Sequence, residues 1–183
     1  MKKQRLCYKI ALLFLISINA DASRLERFIV KVTNTQGGGT GFYLKTLKHT
    51  YIITNEHVCE SDSYKTIIPL RAKAYKAKVL FKNKNIDLCA IEAKGDGFSL
   101  AEQSPECGES LVTGGYPALE RLTFSVNQHC DRVFLGKVIG GQSGSPVLNL
   151  DLEVVGVMEA SFSQHPAGYF IPLSQLTKFL EGK

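Results

Sequence analysis

Gly140-Gly141-Gln142-Ser143-Gly144-Ser145-Pro146-Val147 sets a hydroxyl among glycines, in a backbone free to turn tightly and aim its amides at one point. Upstream stand Thr54-Asn55-Glu56-His57-Val58 and Asn85-Ile86-Asp87-Leu88-Cys89-Ala90-Ile91. A serine hydroxyl is a poor nucleophile until a neutral imidazole takes its proton, and a carboxylate must hold that imidazole in the right tautomer. The candidate catalytic set is therefore His57, Asp87 and Ser143. The backbone N–H groups of Gly141 and Ser143 form the candidate oxyanion hole.

The chain order narrows the fold. His, then Asp, then Ser is the order of chymotrypsin-type double barrels, whereas α/β-hydrolases run Ser, acid, His and subtilisins run Asp, His, Ser. Around the three segments lie short β-like stretches divided by turn signals. Residues 27–32, 41–44, 51–54, 63–68, 76–81 and 88–92 form a first set. A second set covers residues 109–113, 122–126, 132–139, 144–149, 154–160 and 168–172, after a linker around residues 95–108. The expected fold is all-β, with two antiparallel six-stranded barrels, residues 23–97 and 98–183, and a short C-terminal helix over residues 174–180 that Ser174 caps. The Gly-rich run at residues 36–40 is expected as a hairpin or loop. His57 and Asp87 then come from the first barrel and Ser143 from the second, with the site in the cleft between them.

Residues 1–22 have the form of a leader peptide. Lys2, Lys3, Arg5 and Lys9 make a basic start, an apolar core follows over residues 10–18, and Ala20-Asp21-Ala22 fits the small-x-small cleavage rule. Cleavage after Ala22 is expected. The apolar run is too short for a stable bilayer span, so the mature protein is expected to be periplasmic or secreted and not membrane-inserted. The chain carries 22 Lys and Arg against 17 Asp and Glu, but without the leader the balance is 18 against 16, about +2. Such a charge gives no argument for nucleic-acid binding. The lysines at 73, 76, 78, 82 and 84 read as a solvated strand face.

Cys7 leaves with the leader, and Cys59, Cys89, Cys107 and Cys130 remain. An even number in an exported chain favours disulfides, with three connectivities open. Cys59–Cys89 is preferred because one follows the candidate His and the other the candidate Asp, leaving Cys107–Cys130. A zinc site built from these cysteines with His129 or His165 is the competing use. It lacks any Cys-x-x-Cys pair.

The chain resembles the trypsin-like serine peptidases of the bacterial HtrA and glutamyl-endopeptidase type. The resemblance rests on Gly39-Thr40-Gly41-Phe42, Ile53-Thr54-Asn55-Glu56-His57-Val58, Asp87-Leu88-Cys89-Ala90-Ile91, residues 141–149, Glu153-Val154-Val155-Gly156-Val157 and Gly168-Tyr169-Phe170-Ile171-Pro172. It implies a chymotrypsin-like double barrel, endopeptidase activity on protein or peptide substrates, and no metal or organic cofactor. By the same resemblance Lys137 lies near the base of the primary substrate pocket, with Met158, Glu159, Ala160 and Ser161 along its wall. Two departures bear on function. Where zymogen members place an aspartate before the nucleophile, this chain has Gln142, so activation by a freshly cut N-terminus is not expected. The chain ends soon after the helix, leaving no room for the PDZ domain of HtrA enzymes. Glutamyl endopeptidases carry a histidine where Met158 stands, so their preference does not transfer.

The other histidines and aspartates read differently. His49, His129 and His165 look like surface histidines, and Asp62, Asp96, Asp131 and Asp151 like turn residues. The expected function is an exported serine endopeptidase working through an acyl-enzyme. The alternative is a catalytically inactive protein of the same fold that offers its cleft as a peptide- or protein-binding groove. An esterase is more distant, because Gly141-Gln142-Ser143-Gly144-Ser145 lacks the last glycine of the nucleophile elbow. The oligomeric state is not legible.

Overall fold

The computed structural model describes residues 23, 25–33, 35, 37–60, 62–134, 138–161, 167–181 and 183. The leader expected over residues 1–22, Lys137 and His165 lie outside the described residues. Six strands close the first barrel: β1 (Ile29–Thr33), β2 (Gly38–Lys45), β3 (Thr50–Thr54), β4 (Tyr64–Pro69), β5 (Tyr75–Asn83) and β6 (Leu88–Glu92), in the order β1-β2-β3-β6-β5-β4. Six more close the second: β7 (Ser110–Gly115), β8 (Thr123–Cys130), β9 (Val133–Phe134), β10 (Pro146–Leu148), β11 (Val154–Ser161) and β12 (Gly168–Pro172), in the order β10-β11-β12-β9-β8-β7. The chain ends in the helix α1 (Leu173–Leu180). Closure matters physically, because it leaves neither sheet with a row of unpaired edge amides.

Period-two alternation builds the cores. Along β3, Ile52 enters the cluster of Val30, Val32, Ile67, Cys89 and Ile91, while its neighbour Ile53 joins Ile29, Phe42, Leu88 and Ala90. That second cluster continues into the other barrel through Tyr116, Leu148, Val154 and Val157, so the two barrels share apolar packing. Three further contacts fix them together. The Tyr116 hydroxyl donates to the Ile29 carbonyl at 3.3 Å. Phe98, paired with Leu44 of the first barrel, leads to Leu100, paired with Val154 of the second. Phe179 of α1 lies 5.0 Å, ring to ring, from Phe81 of β5. The helix therefore ties both barrels instead of packing only on the second.

Several expectations shift on contact with the structure. Gly38, Gly39 and Thr40 form the returning strand of the β1–β2 hairpin, with Gly38 opposite Thr33, and not a loop, because glycine here answers crowding. A Cβ on Gly38 would sit 2.5 Å from the Val32 carbonyl oxygen, and one on Gly39 2.7 Å from Val58 Cγ2. The helix starts at Leu173 after an extended Pro172, so Ser174 is inside it and is not its cap. Of the strand expected over residues 132–139, Val133 and Phe134 form β9, Arg132, Val138 and Ile139 stand outside it, and residues 135–137 lie outside the described residues. His129 is not a surface histidine: it is 2% exposed, with its ring edge-on to Phe170 at 5.9 Å.

Cys59 bonds to Cys89 and Cys107 to Cys130. By loop closure across 30 and 23 residues, each contributes about 3–4 kcal/mol in the chain-entropy account.

One core residue is costly. Lys65 of β4 has no exposed surface, its amine has no hydrogen bond among the described residues, and the nearest acid, Asp62, stands 3.8 Å away. Burial lowers its pKa below 10.5, against the opposing pull of Asp62. Lys65→Met removes the buried charge at similar volume, and Asp62, largely solvated, loses little. Urea unfolding is expected to show a gain of about 1–4 kcal/mol. A variant no more stable than the parent would show that the ammonium is already well compensated.

Candidate active site

His57 opens a 3₁₀ turn, His57–Cys59, which Asn55 and Glu56 join to the end of β3. Val58 and Cys59 are buried, so the turn is anchored by its following residues while the imidazole faces the cleft. Asp87 closes the turn between β5 and β6 with φ of 53°, a left-handed conformation that Asp adopts more readily than most residues. The carboxylate uses both oxygens on one residue: Oδ2 lies 2.8 Å from His57 Nδ1, and Oδ1 accepts the His57 backbone N–H at 3.0 Å. Fully buried Asn55 adds a third tie, its Nδ2 donating to the Asp87 carbonyl at 3.0 Å. The ring position is thus fixed from both sides, and an Asp87 acceptor assigns the proton to Nδ1 and leaves Nε2 for the cleft.

The His57 pKa is raised above 6.5. The hydrogen bond to Asp87 is the main cause; partial burial opposes it, and the charges of Asp87, Glu56 and Glu159 add to the rise. Glu159 is therefore close enough for its field to be felt at the imidazole.

Ser143 arrives on the loop between β9 and β10, which docks on the first barrel through Thr40. The Thr40 amide donates to the Ser143 carbonyl at 2.8 Å. Its hydroxyl donates to the Gly141 carbonyl at 2.8 Å and accepts the Tyr116 N–H at 3.0 Å. The Thr54 hydroxyl donates to the Thr40 carbonyl at 2.6 Å, which links the dock to the strand that delivers His57. Gly39 shows how near the two segments lie, since a Cβ there would be 2.7 Å from both the Ser143 carbonyl oxygen and Val58 Cγ2. Val58 is the residue after His57.

Within the loop, Gly141 and Gly144 take φ of 94° and 83°, which side chains other than glycine disfavour. The Gln142 carboxamide accepts the Ile139 N–H at 2.8 Å and closes the turn where an aspartate would stand in zymogens. The N–H groups of Gly141 and Ser143 meet no acceptor among the described residues, so they remain available to an oxygen in the cleft. Ser145, by contrast, is fully buried.

The remaining candidates separate. Met158 is 1% exposed and packs with Phe134, Val138 and Phe170 in the second core. Its backbone pins the loop that carries Ser143, accepting the Gly144 N–H and donating to the Ser145 carbonyl, both at 2.8 Å. Glu159 sits where the pairing of β11 with β12 slips between Met158 and Ala160. A bulge of this kind re-aims a side chain. The Glu159 carboxylate reaches Arg132 Nη2 at 3.2 Å, and Arg132 Nε also donates to the Phe170 carbonyl at 3.2 Å. Ala160 and Ser161 continue the strand, Ser161 opposite Gly168. Sequence reasoning missed Arg132 and the docking role of Thr40, although Thr40 stands inside one of the quoted motifs. A cavity of about 480 Å³ on the first barrel, between Arg27, Tyr43, Arg71 and Asp96, contains none of these residues.

Residues 39–157 match the family described as trypsin-like peptidase domain. No curated protein matches the chain. Among solved structures, a serine endoprotease from Yersinia pestis superposes with a TM-score of 0.78 at 20% identity, covering 89% of this chain and 65% of that one. This chain thus spans just under two thirds of that protein's length. A protease from M. tuberculosis in its active form gives 0.75 at 19%, covering 86% and 81%. A serine protease of human pathogenic astrovirus gives 0.66 at 20%, covering 80% and 90%.

Proposed function

This chain belongs to the trypsin-like peptidase family, and from that premise we propose that it is an exported serine endopeptidase working through Ser143, His57 and Asp87. The observation that carries the proposal is the two-point grip of Asp87 on His57, at 2.8 and 3.0 Å. A carboxylate that holds both the ring and the backbone of one histidine has the geometry of a tautomer-fixing partner.

In the proposed reaction Ser143 Oγ attacks the scissile carbonyl carbon as His57 Nε2 takes the hydroxyl proton. The Gly141 and Ser143 N–H groups stabilise the oxyanion that forms. Collapse breaks the C–N bond, His57 passes its proton to the leaving nitrogen, and an acyl-ester remains on Ser143. Water then attacks the ester, giving a proton to His57, which returns it to the serine as the acid departs. Asp87 stabilises the imidazolium each time it appears. The segment carrying Lys137, with Glu159, Ala160 and Ser161, is assigned to the substrate pocket, whereas Met158 is packed in the second core. Disulfides Cys59–Cys89 and Cys107–Cys130 support an oxidising compartment, periplasmic or extracellular.

The test is cleavage of a proteome-derived peptide library by the purified protein, read by mass spectrometry beside a Ser143→Ala control. Cleavage by the parent alone is expected. Equal products from both proteins would remove Ser143 from the reaction, and none from either would favour a binding groove.

The pH profile adds a second check. Only neutral His57 accepts a proton, so kcat/KM should rise with pH through a midpoint above 6.5. Glu159→Gln removes a negative charge that favours the imidazolium, so the midpoint should move to lower pH. An unmoved or upward-moving midpoint would show that Glu159 does not act on His57.

A further inference from the structure

We infer that Lys82 is a positioning residue for His57, acting as a clamp on the turn that carries it. The inference rests on the assignment of His57 as catalytic base.

Lys82 lies near the end of β5, opposite Cys89 in the pairing with β6. Its ammonium stands 2.7 Å from Oε1 of Glu56 and donates to the Glu60 carbonyl at 3.2 Å. Glu56 and Glu60 bracket the 3₁₀ turn His57–Cys59. One cation thus grips the turn at its start and just past its end. The Glu60 carbonyl faces the position where the turn stops, and a cation there satisfies an oxygen the turn leaves without an intrahelical donor.

The Glu56 carboxylate gives the contact its weight. Glu56 is 6% exposed, and an ionised carboxylate at that depth is costly without a partner. Lys82 supplies that partner from an amine still reached by water, so the pair avoids much of the penalty of a fully buried one. The Cys59–Cys89 bridge holds the same turn to the strand facing Lys82. Asp87, two residues before Cys89, takes the imidazole. The turn is therefore fastened at Glu56, at Cys59 and at Glu60, while Asp87 sets the ring. Lys82 in this way stands apart from the lysines around it, since Lys76 and Lys78 are exposed and, among the described residues, neither makes such a pair.

Loss of the clamp should loosen the seating of His57 without touching substrate. Lys82→Met in the full chain is expected to lower kcat by roughly tenfold or more with KM nearly unchanged, as a displacement near 1 Å can cost far more. Lys82→Arg should recover most of the loss. The Glu56→Gln, Lys82→Met pair should lose no more than Lys82→Met alone, because both changes break one contact.

A folded Lys82→Met protein with parental kcat overturns the inference, as do losses that add across the pair. If Lys82→Met fails to fold by circular dichroism, Glu56→Gln decides alone: lowered kcat at constant KM supports the clamp, and parental kcat overturns it. Labelling of the parent at Ser143 by a fluorophosphonate separates the two levels. A labelled parent with an indifferent Lys82 sinks only the clamp, whereas an unlabelled, inactive parent sinks the assignment of His57 beneath it.

Discussion

Ser143→Ala is expected to lower kcat by on the order of a thousandfold or more while leaving the fold unchanged. The structural part of this expectation comes from what Ser143 gives its surroundings. Its carbonyl accepts the Thr40 amide at 2.8 Å, a backbone contact that alanine keeps. Its hydroxyl makes no hydrogen bond with the described residues, so its removal leaves no orphaned partner. The variant should therefore unfold at the parental urea midpoint and lose only the nucleophile. Steady-state cleavage of a fluorogenic peptide measures the loss, and a variant that still cuts at the parental rate would end the assignment.

Asp87→Asn is the second large effect, and the more diagnostic one. Asparagine adopts the left-handed backbone at 53° as readily as aspartate, and its carboxamide oxygen can still accept the His57 backbone N–H. The Asn55 contact to the residue 87 carbonyl is also untouched. What changes is the group facing Nδ1: an amide N–H there demands an acceptor nitrogen and drives the ring proton to Nε2, the atom that must receive the serine proton. A loss of about 10³–10⁴ in kcat is expected. Because the Asp87 hydrogen bond is the largest cause of the raised His57 pKa, the acid limb should also fall to lower pH. Combined with Ser143→Ala, the second substitution should add almost nothing. An Asp87→Asn protein within tenfold of the parent would mean that the carboxylate is structural.

The barrels were legible because their strands alternate and their turns are marked by Gly, Asn and Asp. Both sets of six strands follow from that pattern, whereas the family resemblance is carried by the ordered motifs themselves. The Gly38–Thr40 stretch misled because glycine marks a turn and also a crowded strand, and the sequence does not show which neighbour will crowd it. His129 misled for a related reason. It lies between Gln128 and Cys130 in a polar stretch, yet β8 curls so that its ring meets Phe170 inside the second barrel. The helix cap failed because the helix begins at Leu173, one residue before Ser174, after an extended Pro172 and with no side-chain cap.

Within the site, the three motifs nominated residues but not the contacts that assemble them. Thr40 bonds to Gly141, Ser143 and Tyr116, the nearest of them 76 residues away, and no local pattern announces such a dock. Arg132 and Lys82 were hidden differently. Arg132 stands in the turn between β8 and β9 and Lys82 near the end of β5, and only the fold places a carboxylate at 3.2 or 2.7 Å. Long-range ion pairs of this kind have no sequence period.

The most direct test of the central claim is reaction of the folded protein with a fluorophosphonate probe, with the modified peptide located by mass spectrometry. Only a hydroxyl activated by a neighbouring base reacts quickly. The account predicts a single adduct on Ser143, formed at a rate that rises with pH through the His57 midpoint and nearly abolished in Asp87→Asn. A folded protein that takes up no probe, or takes it up at another serine, would contradict the account.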